Sequence, residues 1–133
     1  MLTTHQISLV QDSFAKVAPI ATTAADLFYT RLFELDPTLR RLFKDDLTEQ
    51  KDKLMHTLAF AVGSLRRMDQ LVPAVQALGK RHVGYQVQPQ HYETVGTALL
   101  WALRQGLAAD FTAEVEAAWT EVYGVLAITM KNA

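Results

Sequence analysis

The sequence contains no cysteine. That absence removes disulfides, thiolate zinc sites, iron–sulfur clusters and any cofactor ligated by or attached through a thiolate. It is compatible with a reducing compartment without establishing one. Also missing is a run of about 18 unbroken apolar residues, the length that marks a membrane-crossing helix. The opening Met-Leu-Thr-Thr-His-Gln has no basic leader followed by an apolar stretch, so the expectation is a cytoplasmic chain. Nor does one sign of charge dominate: 13 basic and 14 acidic residues, mixed along the chain, leave a formal net charge of −1. With no basic stripe to neutralise phosphates, neither nucleic acid nor an anionic membrane is an expected partner.

What is present is a chain of 133 residues, half of them hydrophobic. That length suits one domain over residues 1–133, with a core large enough to enclose something apolar as well. Apolar residues recur with a helical period nearly everywhere and no segment alternates with period two, so the fold class is all-α. Thr3 and Gln6 have the spacing of a capping box ahead of a helix that buries Ile7, Val10, Phe14 and Val17 and stops near Pro19. A second helix is expected from about Ala21 to Leu35, with Leu27, Phe28, Leu32 and Phe33 inward and Tyr29 and Leu35 beside them. Asp36-Pro37 starts a helical turn that delivers Phe43 into a polar link. Thr48 is placed to cap a long helix with Gln50, Leu54, Leu58, Ala61 and Leu65 on one face, ending in Arg66-Arg67. A short helical segment runs from Leu71 to His82, interrupted by Pro73 and Gly79. After a link from Gly84 to Pro89 come a helix from about Gln90 to Leu107, a second link through Phe111, and a last helix capped by Thr112. No repeat or domain linker is evident.

His5, His56, His82 and His91 are the candidate metal ligands. None forms H-E-x-x-H and no two lie three or four residues apart, so a zinc site on one helix is not supported. An isolated histidine is most often a surface or structural residue. His5 sits near a terminus, His56 lies beside the apolar face of its helix, and His91 opens a helix among polar neighbours. His82 differs in following Leu78 by one turn on an apolar face. On that placement alone, ligand and structural histidine both remain open.

The order of the surrounding residues goes further. Phe28-Tyr29-Thr30-Arg31-Leu32-Phe33, Asp36-Pro37, Leu42-Phe43, Gln50 and Leu54, Gly79-Lys80-Arg81-His82, His91-Tyr92-x-x-Val95-Gly96 and Ala118-Trp119-x-x-Val122-Tyr123-Gly124 occur in sequence. Over its whole length the chain resembles single-domain bacterial haemoglobins and the globin half of flavohaemoglobins. The resemblance implies a globin fold around one pocket, with the small helix after Phe43 short or absent. It also implies one non-covalent haem b with a single iron, His82 as its proximal ligand and Phe43 packed on the haem face. From spacing alone Phe43 reads as an ordinary core aromatic.

Gln50 and Leu54 are four residues apart and project from one helical face. The resemblance places Gln50 and Tyr29 over the iron, where bound dioxygen acquires negative charge. A phenol O–H and an amide N–H would each donate to it, at roughly 1.5–3 kcal/mol for a charge-assisted bond. Without the resemblance, Tyr29 reads as a tyrosine reaching from a helix surface and Gln50 as a solvated residue at a helix start. Leu54 would form a steric wall, with Val87 and Leu99 lining the pocket. Lys53 and Arg81 are candidates for the haem propionates, although a solvated surface cation is the default reading of each.

The chain departs from the flavohaemoglobin pattern in two places. All 133 residues are expected to be consumed by the globin, so a reductase would be a separate partner. Tyr92 matches the tyrosine that supports the proximal histidine, whereas Thr129-Met130-Lys131-Asn132-Ala133 supplies no clear match for the accompanying glutamate. The function expected from the resemblance is reversible binding of dioxygen and other diatomic gases, with nitric oxide dioxygenation if an external reductase restores ferrous iron. In that chemistry Tyr29 and Gln50 would be the catalytic residues. Oxygen storage or transport, haem-based sensing and a haem-free helical module are the rival readings.

Overall fold

Thr3 starts the first helix through the expected reciprocal bonds: its hydroxyl accepts the Gln6 N–H at 3.0 Å while the Gln6 side chain accepts the Thr3 N–H at 2.9 Å. In the computed structural model, which describes residues 2–84 and 87–133, this helix, α1, spans Thr4–Val17. It buries Val10, Phe14 and Val17, with Ile7 packed at the border of the core. Pro19 lies in a 3-10 turn, Ala18–Ile20, that passes directly into α2 (Ala21–Leu35). Proline lacks the N–H that would continue α1, so the chain bends there without needing a loop.

The inward face of α2 carries Ala24, Ala25, Phe28, Tyr29 and Leu32. Here the structure corrects the expected sides of two residues: Tyr29 is only 4% exposed, whereas Leu35 is 39% exposed. Asp36 caps a 3-10 turn, Pro37–Leu42, by accepting the Thr38 N–H. Residues 43–47 are non-helical, so no small helix follows Phe43.

Helix α3 spans Thr48–Gly63. Thr48 does not cap it; Thr48 is the first helical residue, and its N–H is accepted by the Asp46 carboxylate at 2.9 Å. The helix also ends sooner than expected, so Leu65 and Arg66 lie in the turn beyond it and Arg67 directly before the next helix. Leu65 is nonetheless buried, and Arg66 reaches back to the Ser8 hydroxyl at 2.8 Å. Helix α4 (Met68–Gly84) begins before Leu71 and continues through Pro73, so His82 sits on a 17-residue helix and not a short one. Tyr85 and Gln86, read above as part of the following link, lie outside the described residues.

Helix α5 spans His91–Leu107 and is closed by Ala108, whose φ of 49° is a conformation more often taken by glycine. A 3-10 turn, Ala108–Asp110, leads to α6 (Ala113–Lys131), where the Thr112 hydroxyl accepts the Val115 N–H as expected. No strand occurs among the described residues. No helix of the described residues is long and apolar enough to cross a membrane.

The most extensive helix contact is between α2 and α5; α1 and α4 both pack on α6, and α3 lies on α2 and α1. A buried polar link pins α1 to α6, with the Trp119 indole donating to the Ser13 hydroxyl at 2.8 Å and Ser13 donating to the Val10 carbonyl at 3.0 Å. Closing that chain leaves neither buried donor unsatisfied, a deficit that would cost about 1–3 kcal/mol.

Candidate functional site

Tyr29 stands at the centre of an aromatic group assembled from α2 and the link after it. Its ring lies 4.8 Å from Phe28, 6.0 Å from Phe33 and 5.6 Å from Phe43, and Phe33 and Phe43 are 5.6 Å apart. The Phe43 contacts with both neighbours are edge-on, the arrangement favoured by ring quadrupoles. Gln50, in the first turn of α3, is half-buried and places its side chain within hydrogen-bonding reach of the Tyr29 phenol. Burial pushes that phenol above its usual range, and the Gln50 contact partly opposes the shift. Two neutral donors are thus held together in an apolar setting, with Leu54 and Leu99 in the same packed cluster.

Arg40 secures the link that carries Phe43, a role the sequence reading missed. Its guanidinium donates to the carbonyls of Lys44 and Asp45, each at 2.8 Å, and of Phe43 at 3.3 Å. The same group lies 5.4 Å from the centre of the Phe33 ring. Nothing in the spacing of Arg40 distinguishes it from Arg41 beside it. On the other flank of Tyr29, the Lys51 ammonium pairs with Asp26 at 2.8 Å and joins α3 to α2.

The second group of residues gathers on α4, α5 and α6. His82 is half-buried, and its Nδ1 lies 2.8 Å from the Leu78 carbonyl oxygen one turn earlier. A carbonyl can only accept, so Nδ1 carries the proton, and the lone pair of the neutral imidazole is then the one on Nε2. That tautomer suits metal ligation, and a bond from the other ring nitrogen to a carbonyl is the usual support of a ligating imidazole. The Tyr92 ring lies 6.4 Å from the His82 ring at a 31° tilt. Tyr123 donates to the Tyr92 carbonyl at 2.6 Å, and the Lys131 ammonium stands 5.5 Å over the Tyr92 ring. Burial raises the phenols of Tyr92 and Tyr123, the second also through its neighbour Tyr92.

Gly79 positions His82 more directly. A Cβ there would come within 2.7 Å of the Met130 Cα, so only glycine lets α4 approach α6 this closely three residues before the histidine. Helix α5 joins the two groups: Tyr92 and Leu99 are both buried and lie seven residues apart. They occupy one face, separated by about 10.5 Å along the axis.

The remaining histidines lie elsewhere in the fold. His5 pairs with Glu114 at 2.9 Å across α1 and α6, and is not left at a loose terminus. His91 Nδ1 accepts the Gln88 N–H at 2.9 Å, bracing the start of α5. His56 faces away, lining a groove of about 470 Å3 with Lys51, Asp52 and Met55 on the opposite flank of α3 from Gln50 and Leu54. Val87 is half-buried and its N–H bonds the His82 carbonyl at 3.1 Å. Lys53 is exposed and paired with Glu49 at 3.4 Å, and Arg81 is exposed in the last turn of α4.

The globin family pattern matches residues 26–130, and the chain belongs to the globin family. It is 36% identical over 132 residues to a flavohemoprotein of Xylella fastidiosa, and that match covers 96% of this chain and 33% of the relative. Flavohemoproteins of Vibrio cholerae and Bacillus subtilis are each 30% identical over 132 residues, with the same shares of chain and relative covered. The chain therefore spans about a third of the length of these curated relatives.

The residues present fit a haem. No group of three or more histidine, aspartate or glutamate side chains able to hold a bare metal ion occurs among the described residues. A single imidazole that donates from Nδ1 to a carbonyl suits a metal that brings its other ligands with it, as haem iron does. Apolar and aromatic lining with a few convergent donors suits the macrocycle and a small polar ligand upon it.

Proposed function

We propose that this globin holds one haem b non-covalently through His82 and binds dioxygen reversibly beside Tyr29 and Gln50. The observation that carries the reading is the His82 tautomer set by the Leu78 carbonyl. When bound, haem supplies an iron centre that takes up and releases diatomic ligands. His82 would hold it from α4, with Tyr92 bracing the proximal side and Phe43 against the haem face. Tyr29 would donate its phenolic proton, and Gln50 its amide proton, to a ligand that gathers negative charge. Both donors are fixed before the ligand arrives, so little reorganisation opposes the interaction. Leu54 and Leu99 would narrow the pocket and exclude water, with Val87 at its margin. Lys53 and Arg81 would meet the propionates at the rim, Lys53 by exchanging its Glu49 partner.

Residues 1–133 form one globin domain in this reading, working in the cytoplasm. Firm retention of dioxygen suits a reactant better than a cargo that must be released. The activity proposed is nitric oxide dioxygenation, in which dioxygen, nitric oxide and one electron give nitrate. Tyr29 and Gln50 would orient the dioxygen, and nitric oxide would enter past Leu54. The electron would come from a reductase outside this sequence.

Haem reconstitution tests the binding claim. The wild-type protein should acquire a Soret band, and His82→Gly should lose stable haem unless imidazole is added. Variants of His5, His56 and His91 should keep the ferrous spectrum. An unchanged spectrum for His82→Gly would overturn the ligand assignment. Rapid mixing of the oxygenated protein with one equivalent of nitric oxide should give ferric protein and nitrate, with repeated turnover only when a reductase is supplied. Slow reaction without nitrate would favour oxygen storage or sensing.

A further inference from the structure

We infer that Arg40 is a positioning residue that sets where Phe43 lies and, through ring contacts, where the Tyr29 phenol points. The inference rests on the haem reading above. The 3-10 turn Pro37–Leu42 ends without a following helix, so the carbonyls of the next residues have no helical donor. Arg40 supplies donors to three successive ones, at Phe43, Lys44 and Asp45. The backbone adds a further tie, since the Phe43 N–H bonds the Arg40 carbonyl at 3.2 Å.

This single side chain therefore holds the segment on two sides. Its nitrogens grip the backbone of residues 43–45, and its guanidinium carbon lies 5.4 Å from the centre of the Phe33 ring. Phe33, Phe43 and Tyr29 touch one another pairwise, so the three rings move as a packed unit. Tyr29 is buried and Phe43 packs directly on its ring, so a displacement of the Phe43 edge is felt at Tyr29. A lysine cannot substitute: its donors share one nitrogen, and it lacks the fork whose separate nitrogens reach separated carbonyls. Arg41 provides the control because it is adjacent in sequence, identical in charge and exposed.

The experiment compares wild type, Arg40→Met, Arg40→Lys and Arg41→Met. Haem uptake is scored first by the Soret band; failure of the wild type at this step overturns the functional reading and the inference with it. Oxygen dissociation by stopped flow and the C–O stretch of the carbon monoxide complex are then measured. Both Arg40 variants should release oxygen about fivefold faster, the equivalent of one weakened hydrogen bond. Their C–O stretch should broaden or divide as the phenol samples more than one orientation, while Arg41→Met behaves as wild type. A merely structural role would lower the melting temperature and leave rate and stretch unchanged, and that result overturns the inference although haem still binds. Loss of the fold in both Arg40 variants would also overturn it, assigning the residue to stability.

Discussion

Tyr123 gives its phenolic proton to the Tyr92 carbonyl across 2.6 Å, and its ring fills the space that Gly96 leaves on the same helix. The two features form one fitting between α5 and α6. A Cβ at residue 96 would meet the Tyr123 ring at 2.7 Å and displace it. Gly96→Ala should cost about 1–3 kcal/mol by overpacking. Tyr123→Phe should cost about 1 kcal/mol for the lost bond. Because the alanine already disturbs that bond, the two costs should sum to more than the double variant shows in urea unfolding.

Alkaline pH should destabilise the fold. Burial raises the phenols of Tyr29, Tyr92 and Tyr123 above the ordinary value of 10.0. A group whose folded value is raised contributes fully while both states are protonated. Above pH 10.0 the unfolded phenols ionise first, the unfolded state gains, and stability falls as pH climbs towards the folded values. Urea midpoints at about pH 9 and about pH 11 should show the loss. Replacing Tyr29 or Tyr123 with phenylalanine should flatten the slope, and an unaltered slope in both variants would reject the assignment.

Gly79→Ala should loosen haem more than it unfolds the protein. The added methyl meets the Met130 backbone, which cannot swing aside as a side chain tip would. Helix α4 must therefore move away from α6, carrying His82 with it, at a cost of about 1–3 kcal/mol. Haem transfer to an apo-acceptor protein should be faster than from wild type. Equal transfer rates would show that the close approach at residue 79 does not govern the histidine.

Tyr29 and Gln50 should act as a pair. Tyr29→Phe and Gln50→Leu should each speed oxygen release, by about tenfold for a bond near 1.4 kcal/mol. In the double variant the effects should not multiply, since each donor also orients the other. Unchanged release in all three variants would remove the distal pair from ligand binding.

Local signals carried most of the helical frame. Thr3 with Gln6, Pro19, Asp36-Pro37 and Thr112 each act within a few residues, and each does what its spacing implies. Thr48 failed as a cap because the helix starts one residue sooner: the Lys51 N–H bonds the Leu47 carbonyl at 2.8 Å, and Asp46 takes the N–H of Thr48 itself. Leu65 kept the helical period after the helix had ended, since burial at that position comes from the tertiary contact of a turn. His82 and Tyr29 stood out through the ordered globin tags and not through periodicity. Arg40 stayed invisible because its three acceptors are backbone carbonyls, which leave no trace in residue identity. The Ser13–Trp119 bond joins residues 106 apart and becomes apparent only once α1 and α6 are packed.

The placement of α4 has a dynamic consequence. Among the described residues its extensive packing is with α6 alone, and Pro73 deletes one of its internal hydrogen bonds. Segments with few tertiary contacts open at lower free energy than the core around them. In the haem-free protein the amides of Met68–Gly84 should therefore exchange with deuterium before those of α2 and α5, which clasp each other most extensively. Detachment of α4 would expose the pocket from the His82 side while the Tyr29 side stayed assembled. Cofactor capture then becomes a folding event confined to one helix, with a preassembled distal wall as its template.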